Sequence, residues 1–444
     1  MTDPNHACGA QQRRDEKPKG TASDTAQSDS AASGGATSGG APSDGTSDGT
    51  ASSEVEEART LDLSPVWAPI TIEDAQRVCA ELSVPAHATT ILSISTRPTA
   101  AASLIDTDRG PLFLKRYAAS AVSSEHLTAT HHYVNHLAAN GLPTPPFHTF
   151  ANGGTVWAEG EALWEACEGA RGEDRYRDTH SWLPPRSCDE ARDIGRQCAR
   201  IALLSADYKA PRTAPAVYQS RFDLFAGGAQ TLDERMEAWI EQRPHVADFF
   251  RERGVDIRAL IERHRPHVAH IDAILGKHGE PVPTTWTHGD LHCSNLMWEQ
   301  GSTNAESIID FGLADRNWSV YDLAVAIERN AFLWLEIGEG NLEAVRRDVA
   351  QAIIDGYESL RPLNSLERAL LPAIMPLVQA EAALNWISYQ WGTLRNAQAA
   401  TWSLEVFFGA HTRWFDTTEG QSFTQWLGSI MADEKPRPTD TSPR

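Results

Sequence analysis

Hydrophobic and polar positions change rhythm twice along the chain. Residues 1–58 hold Ser, Gly, Ala, Thr and Asp, with no aromatic and scarcely any branched apolar side chain. Such a segment buries too little apolar surface to offset its ordering entropy, so a disordered tail is expected over 1–60. From Trp67 apolar residues recur. The spacing predicts a short helix over 71–82, with Thr71 as N-cap and Ile72, Ala75, Val78 and Cys79 on one side. Alternation then predicts strands near 90–95, 101–106 and 111–117, with Asp106, Asp108 and Gly110 turning the chain between the last two. Ser123 or Ser124 is placed to cap a helix carrying Leu127, Val134 and Leu137, which Gly141 and Pro143 end. A hairpin follows, with strands near 154–158 and 162–168 about the turn Glu159-Gly160-Glu161.

Beyond Gly169 the rhythm is helical, in segments near 188–206, 231–252, 255–277, 320–337, 341–360, 365–391 and 398–414. Leu342, Val345, Val349, Ile353 and Tyr357 form one stripe of the 341–360 segment. Pro372 and Pro376 are expected to kink or split the 365–391 helix. Residues 433–444 are polar and expected to be unstructured. The fold class is therefore α+β: a lobe with a small sheet over 61–169 and a mainly helical lobe over 170–432.

Charge narrows the partners. The net charge is −21, of which ten acidic and five basic residues in the first sixty leave −16 to the rest. So acidic a body repels nucleic acid and anionic membrane, and it suits a cationic acceptor. No signal peptide, apolar run of membrane-spanning length or CxxC pair is present. Six scattered cysteines (Cys8, Cys79, Cys167, Cys188, Cys198 and Cys293) suit a reducing compartment, so a cytoplasmic location is expected.

Two stretches interrupt the helical part with chemistry: WTHGDLHCSN at 286–295 and SIIDFGLAD at 307–315. They place two aspartates and an asparagine in the order used for magnesium-assisted phosphoryl transfer. Such transfer relies on positioning and on neutralising charge spread over phosphate oxygens. Asp290 is the candidate to take the proton of an acceptor hydroxyl. Asn295 and Asp310 offer the hard oxygens that Mg2+ prefers. His288, His292 and Cys293 form no zinc-type pattern, because neither a second ligand pair nor a zincin glutamate accompanies them.

With VYDLAVAIER at 320–329, these motifs resemble the aminoglycoside phosphotransferase group, which includes choline, homoserine and methylthioribose kinases and shares a bilobal fold with protein kinases. Weaker matches extend the resemblance over about 65–415. It implies transfer of the γ-phosphate of ATP or GTP to a hydroxyl of a small molecule: an aminoglycoside-like antibiotic, homoserine, choline or a related amino alcohol. By resemblance Asp290 is the catalytic base, and Asn295 and Asp310 hold the metal. Lys115, near the end of an apolar strand, grips the nucleotide phosphates, and Glu125, opening the next helix, positions it. Arg116, the competing cation, falls on the opposite strand face. Backbone groups of Ala166 to Glu168 are expected to pair with the base.

His288 packs the loop against the Asp310 segment, with His292 and Cys293 as fillers. Asp322 is expected to cap its helix and buttress the loop, while Glu328 and Arg329 are open between an acceptor contact and an exposed ion pair. Trp334, Glu336, Glu381, Trp386, Tyr389 and Trp391 are the candidates for an acceptor pocket. The loop 96–102 lacks glycine, and neither HRD nor an activation segment is found, which speaks against a protein kinase. The alternative from another class is a catalytically silent nucleotide-binding or regulatory protein. Oligomeric state is not readable.

Overall fold

A computed structural model describes residues 66–432 except 96, 178, 180–182 and 215. The tails expected at 1–60 and 433–444 lie outside the described residues, save that the first of the latter's neighbours ends a helix at Ala432.

The first part is a five-stranded antiparallel sheet flanked by helices. Helix α1 (Ile72–Ala80) starts in a capping box between Thr71 and Asp74 and buries Ala75, Val78 and Cys79. Strands β1 (Ala88–Ile94), β2 (Ala101–Thr107) and β3 (Leu112–Ala118) follow. Then come α2 (Ser124–Ala139) and the hairpin of β4 (Trp157–Glu159) and β5 (Ala162–Glu168). The spatial order is β1-β2-β3-β5-β4, so β3 lies in the middle. Alternation divides β3 between two environments. Leu112 and Leu114 enter a small core with Trp164 and Ala166 beneath α1, whereas Phe113, Lys115 and Tyr117 line a cleft. Arg116 lies over the Trp164 ring at 5.4 Å, on the face away from the cleft.

Helix α2 takes its cap from Ser123, whose hydroxyl accepts from the His126 N–H, and ends before Gly141 at φ +87°. Its inner face leaves the small core: Tyr133, Val134 and Leu137 join the large core of the helical part. That seats α2 between sheet and helices.

The second part is helical, with two short ladders set into it. Its helices begin with α3 (Cys188–Ser205), α4 (Leu232–Glu241), α5 (Pro244–Glu252), α6 (Ile257–Glu262) and α7 (Arg265–His278). Strands β6 (Thr284–Thr287), β7 (Leu296–Trp298), β8 (Ala305–Ile308) and β9 (Asp315–Trp318) pair antiparallel as β6 with β9 and β7 with β8. Then follow α8 (Tyr321–Ala331), α9 (Trp334–Gly338), α10 (Arg347–Glu358), α11 (Ser365–Gly392), α12 (Ala397–Trp402), a π-helical stretch (Ser403–His411), α13 (Thr412–Trp414) and α14 (Thr418–Ala432).

Several expectations change here. The 231–252 and 255–277 segments each break: Pro244 and Pro266 stand in the first turns of new helices, where a missing N–H costs nothing, and Pro244 pushes Arg243 out of the helical region. The 341–360 segment becomes helical only at Arg347; Leu342 is exposed and Val345 bridges to Phe332. Pro372 and Pro376 do not split α11, which runs 28 residues. Burial on nearly every side keeps it continuous despite the loss of two backbone donors. By length and composition α11 is apolar enough to cross a membrane, yet 83% of that window is buried inside the protein. Helix α14 lies beyond the last segment the spacing predicts, although Phe423, Leu427 and Met431 carry the signal.

Helices α3 and α10 cross at a pair of glycines. A Cβ on Gly195 would stand 1.9 Å from the Ile353 carbonyl oxygen, and one on Gly356 1.9 Å from that of Arg192. Gly356→Ala must separate two buried backbones, so a loss of about 3 kcal/mol in urea unfolding is expected. An unchanged midpoint would mean the crossing tolerates a side chain.

Candidate active site

The two short ladders aim the loops at 288–295 and 309–314 toward the cleft below β3. Gly289 has φ +82°, and a Cβ there would fall 2.3 Å from the Leu313 carbonyl oxygen, so only glycine lets the two loops touch. The Asp322 carboxylate accepts from the N–H groups of His288 (2.6 Å) and Gly289 (2.8 Å). It sits inside α8 and does not cap it, since the cap residue is Val320; the expected buttressing geometry is present and the expected N-cap is not.

His288 joins the loops. Its Nε2 faces the Ile309 carbonyl at 3.0 Å, and Nδ1 accepts from the Asp290 N–H at 3.3 Å. Both contacts suit a proton on Nε2. Burial pushes its pKa down, which keeps the ring neutral.

Asp290 is held from two sides. Arg329 Nε donates to its Oδ1 at 3.0 Å, and His292 Nε2 lies 3.6 Å from Oδ2. Burial alone would raise this carboxyl, but His292 and Arg329 hold it well below the usual carboxylate range. His292 is thus no filler. Nor is Arg329 part of an exposed pair: it bridges Asp290 and the buried Glu328, at 3.0 Å from each. Glu328 also accepts from the Trp334 indole, and burial pushes its pKa up.

Asn295 donates its amide to the Asp290 carbonyl at 2.8 Å, which leaves the amide oxygen to the cleft that Asn295 lines. Asp310 has φ +59°, a left-handed conformation that Asp and Asn tolerate better than other side chains. Its Oδ1 receives Lys115 Nζ at 2.7 Å. Burial opposes the Lys115 charge, but Asp310, Tyr117 and Glu165 raise its pKa well above the ordinary value. Asp290, Asn295, Asp310 and Lys115 therefore converge. The Asp310 carboxylate and the Asn295 amide oxygen fit a hard divalent cation completed by phosphate oxygens.

The cleft holds about 310 Å3. Leu104, Phe113, Phe147, Met297 and Ile309 give it apolar walls. Two expected contacts are absent. Glu125 is exposed on the first turn of α2, whereas Lys115 is turned inward to Asp310, so the helix does not bring Glu125 to it. Ala166 faces the small core, and its carbonyl already accepts from the His148 N–H at 2.8 Å. Glu168 lines the cleft, but its N–H is turned to the Pro146 carbonyl at 3.3 Å. The strand register thus engages the Ala166 carbonyl and the Glu168 N–H, two of the backbone groups expected to meet a base.

The acceptor candidates separate. Trp334 is stacked between Phe332 and His411 in the core, Glu336 is exposed, and Trp391 packs on Phe249. Trp386 and Tyr389 gather around Tyr218, at 5.2 and 5.3 Å between ring centroids. The charges of Asp290 and Arg329 act on the Tyr218 phenol, which places this trio beside Asp290. Tyr218 was absent from the candidates because nothing in its local sequence marks it.

Glu381 lies deeper, accepting from the N–H groups of Asp223 and Leu224. Burial and the Asp223 carboxylate push it up to about 8. Folded protein keeps this proton where the unfolded chain, near 4.5, has lost it, so this group's contribution to stability falls as pH rises between those values. Glu381→Gln is expected to remove that fall, so its melting temperature gains on the wild type from about pH 5 to about pH 8. A constant difference would contradict the assignment.

Comparison with known proteins agrees with this geometry. A model of the phosphotransferase enzyme family (APH) matches residues 99–363. A homoserine kinase of Polaromonas naphthalenivorans (strain CJ2) is 27% identical over 288 residues, 65% of this chain and 77% of that protein. A homoserine kinase of Rhodospirillum rubrum is 25% identical over 271 residues, 61% of this chain and 71% of its own length. Among solved structures, a microcompartment-associated aminopropanol kinase superposes with a TM-score of 0.51 at 16% identity, covering 79% of this chain and 99% of its own. That likeness shows a shared fold.

Proposed function

The chain belongs to the phosphotransferase enzyme family, and on that premise we propose that it moves the γ-phosphate of ATP, with Mg2+, to the hydroxyl of homoserine or a closely related amino alcohol. The observation that carries the reading is that Lys115, Asn295 and Asp310 line one cleft, with Asp290 tied to the same loop through the Asn295 amide and near enough for its charge to act on Asp310. Lys115 grips the nucleotide phosphates. Asp310 and Asn295 would hold the cation, which neutralises phosphate charge when bound. The Asp290 carboxylate faces the acceptor.

Arg329 and His292 beside the Asp290 carboxylate favour one of two roles for it. A carboxylate that binds protons this weakly is a poor base for an early proton transfer. Phosphoryl transfer through a loose transition state needs the hydroxyl aligned first and deprotonated late. Asp290 therefore acts chiefly by orienting the hydroxyl, and Arg329 and His292 fix its direction. Tyr218 and Trp386, both half-buried, offer ring faces for the ammonium group of such an acceptor, and the buried Tyr389 backs them. The homoserine kinases among the relatives favour this acceptor class.

The test is ADP release from ATP with homoserine, ethanolamine, choline and kanamycin in turn. Release that depends on homoserine or an amino alcohol, and stops when EDTA removes the cation, is the expected result. Turnover with kanamycin alone would overturn the acceptor, and ATP binding without turnover on any of them would overturn the reaction.

A further inference from the structure

Lys115 must keep its direction while Asp310, its nearest partner, is drawn to a cation and phosphates. A second anion has to hold it, and Glu125 is not in reach. On the face of the sheet that lines the cleft, Glu165 of β5 stands directly opposite Lys115 in the β3–β5 ladder. It is buried, with both carboxylate oxygens engaged: Oε1 accepts from the Tyr117 hydroxyl at 3.3 Å, and Oε2 meets His131 Nε2 at 2.8 Å.

His131 comes from α2 and is fully buried. Its Nδ1 meets the Thr155 hydroxyl at 2.9 Å, and its ring stacks on Phe147 at 3.8 Å between centroids. The ring has no freedom to turn. A buried carboxylate left unpaired would cost several kcal/mol, so a sheet that keeps one opposite a lysine and clasps it with a packed imidazole is using it.

We propose that Glu165 is the positioning residue for Lys115, and that His131 clasps Glu165 from α2, so that β5 supplies the anion and the helix supplies only its support. The inference rests on reading Lys115 as the phosphate grip. It explains why a helix whose first turn carries an exposed glutamate still has its third turn locked to the sheet beside the lysine. It also makes the hold on Lys115 independent of Asp310, which leaves that carboxylate free for its other task.

Nucleotide affinity tests this without requiring turnover. ATP with Mg2+ is titrated calorimetrically into the wild type, Glu165→Gln, His131→Ala and His131→Gln, with melting curves for each. Glu165→Gln is expected to weaken nucleotide binding about tenfold with the acceptor KM within about twofold of wild type. His131→Ala shifts the same quantity in the same direction by less. His131→Gln, which retains a side-chain donor toward Glu165, stays near the wild type. If Glu165→Gln fails to fold, His131→Ala decides by the same nucleotide-selective loss. Unchanged nucleotide affinity in the folded variants, or an equal loss for nucleotide and acceptor, would overturn the inference. A wild type that binds nucleotide but transfers no phosphate would sink the proposed function and leave this inference standing.

Discussion

Asp290→Asn is expected to lower kcat about 10³-fold while nucleotide affinity and the Mg2+ requirement stay near wild type. The variant keeps the shape and one oxygen, so Arg329 still has a partner, and the loop is held by Asp322 through His288 and Gly289 rather than by the Asp290 side chain. What is lost is the negative charge that aligns the hydroxyl and finally takes its proton. Because Arg329 is buried between Asp290 and Glu328, the variant leaves Glu328 as its one charged partner of the two, and a modest drop in melting temperature accompanies the kinetic loss. Steady-state kinetics with a parallel nucleotide titration separate the two effects. Equal losses in turnover and in nucleotide binding would mean that Asp290 supports the loop and does no chemistry.

Asp310→Asn should fail differently. Asparagine tolerates the left-handed backbone at φ +59°, so the loop survives where alanine would add strain. The charge that binds Lys115 at 2.7 Å is gone, and with it the main anionic donor for a cation. The expected result is a fall in kcat of about 10³-fold or more together with at least about a tenfold rise in the Mg2+ needed for half-maximal rate. Lys115, deprived of Asp310, loses part of what raises its pKa and keeps Glu165. Metal titrations of wild type, Asp290→Asn and Asp310→Asn therefore distinguish the two aspartates: only the second should move the Mg2+ dependence. A shift of the same size in both would contradict the division of roles.

Much of this was legible in the chain because it is local. HGDLHCSN and IIDFG fix their own loops: a glycine that alone fits at 289, a histidine reaching Ile309, and an aspartate following a short apolar strand. Alternation in LFLKRYA put Lys115 on the cleft face and Arg116 on the other, as found. The residues that were not legible act across distance. Glu165 reaches His131 over 34 positions, Arg329 reaches Asp290 over 39, and Tyr218 meets Trp386 and Tyr389 only after the helical part has folded. Glu125 was a reasonable partner for Lys115 by position on the helix, but each residue turns the helix by about 100°, so position 125 faces solvent while position 131 faces the sheet. Ala166 failed for another reason. Periodicity says which face a side chain takes, but not that a neighbouring strand-like segment at 146–148 will occupy the backbone. Proline spacing left open whether α11 is kinked or split, and packing on nearly all sides keeps it one helix despite the lost donors.

The central claim is spatial: oxygen atoms from two loops surround one divalent ion in front of Lys115. Anomalous scattering from Mn2+, in crystals grown with a non-hydrolysable ATP analogue, tests it directly. The account predicts a single strong peak within bonding distance of an Asp310 oxygen and the Asn295 amide oxygen, with Lys115 on the nucleotide phosphates and the Asp290 carboxylate facing the acceptor side. A peak away from Asp310 and Asn295, or phosphates bound out of reach of Lys115, would contradict it.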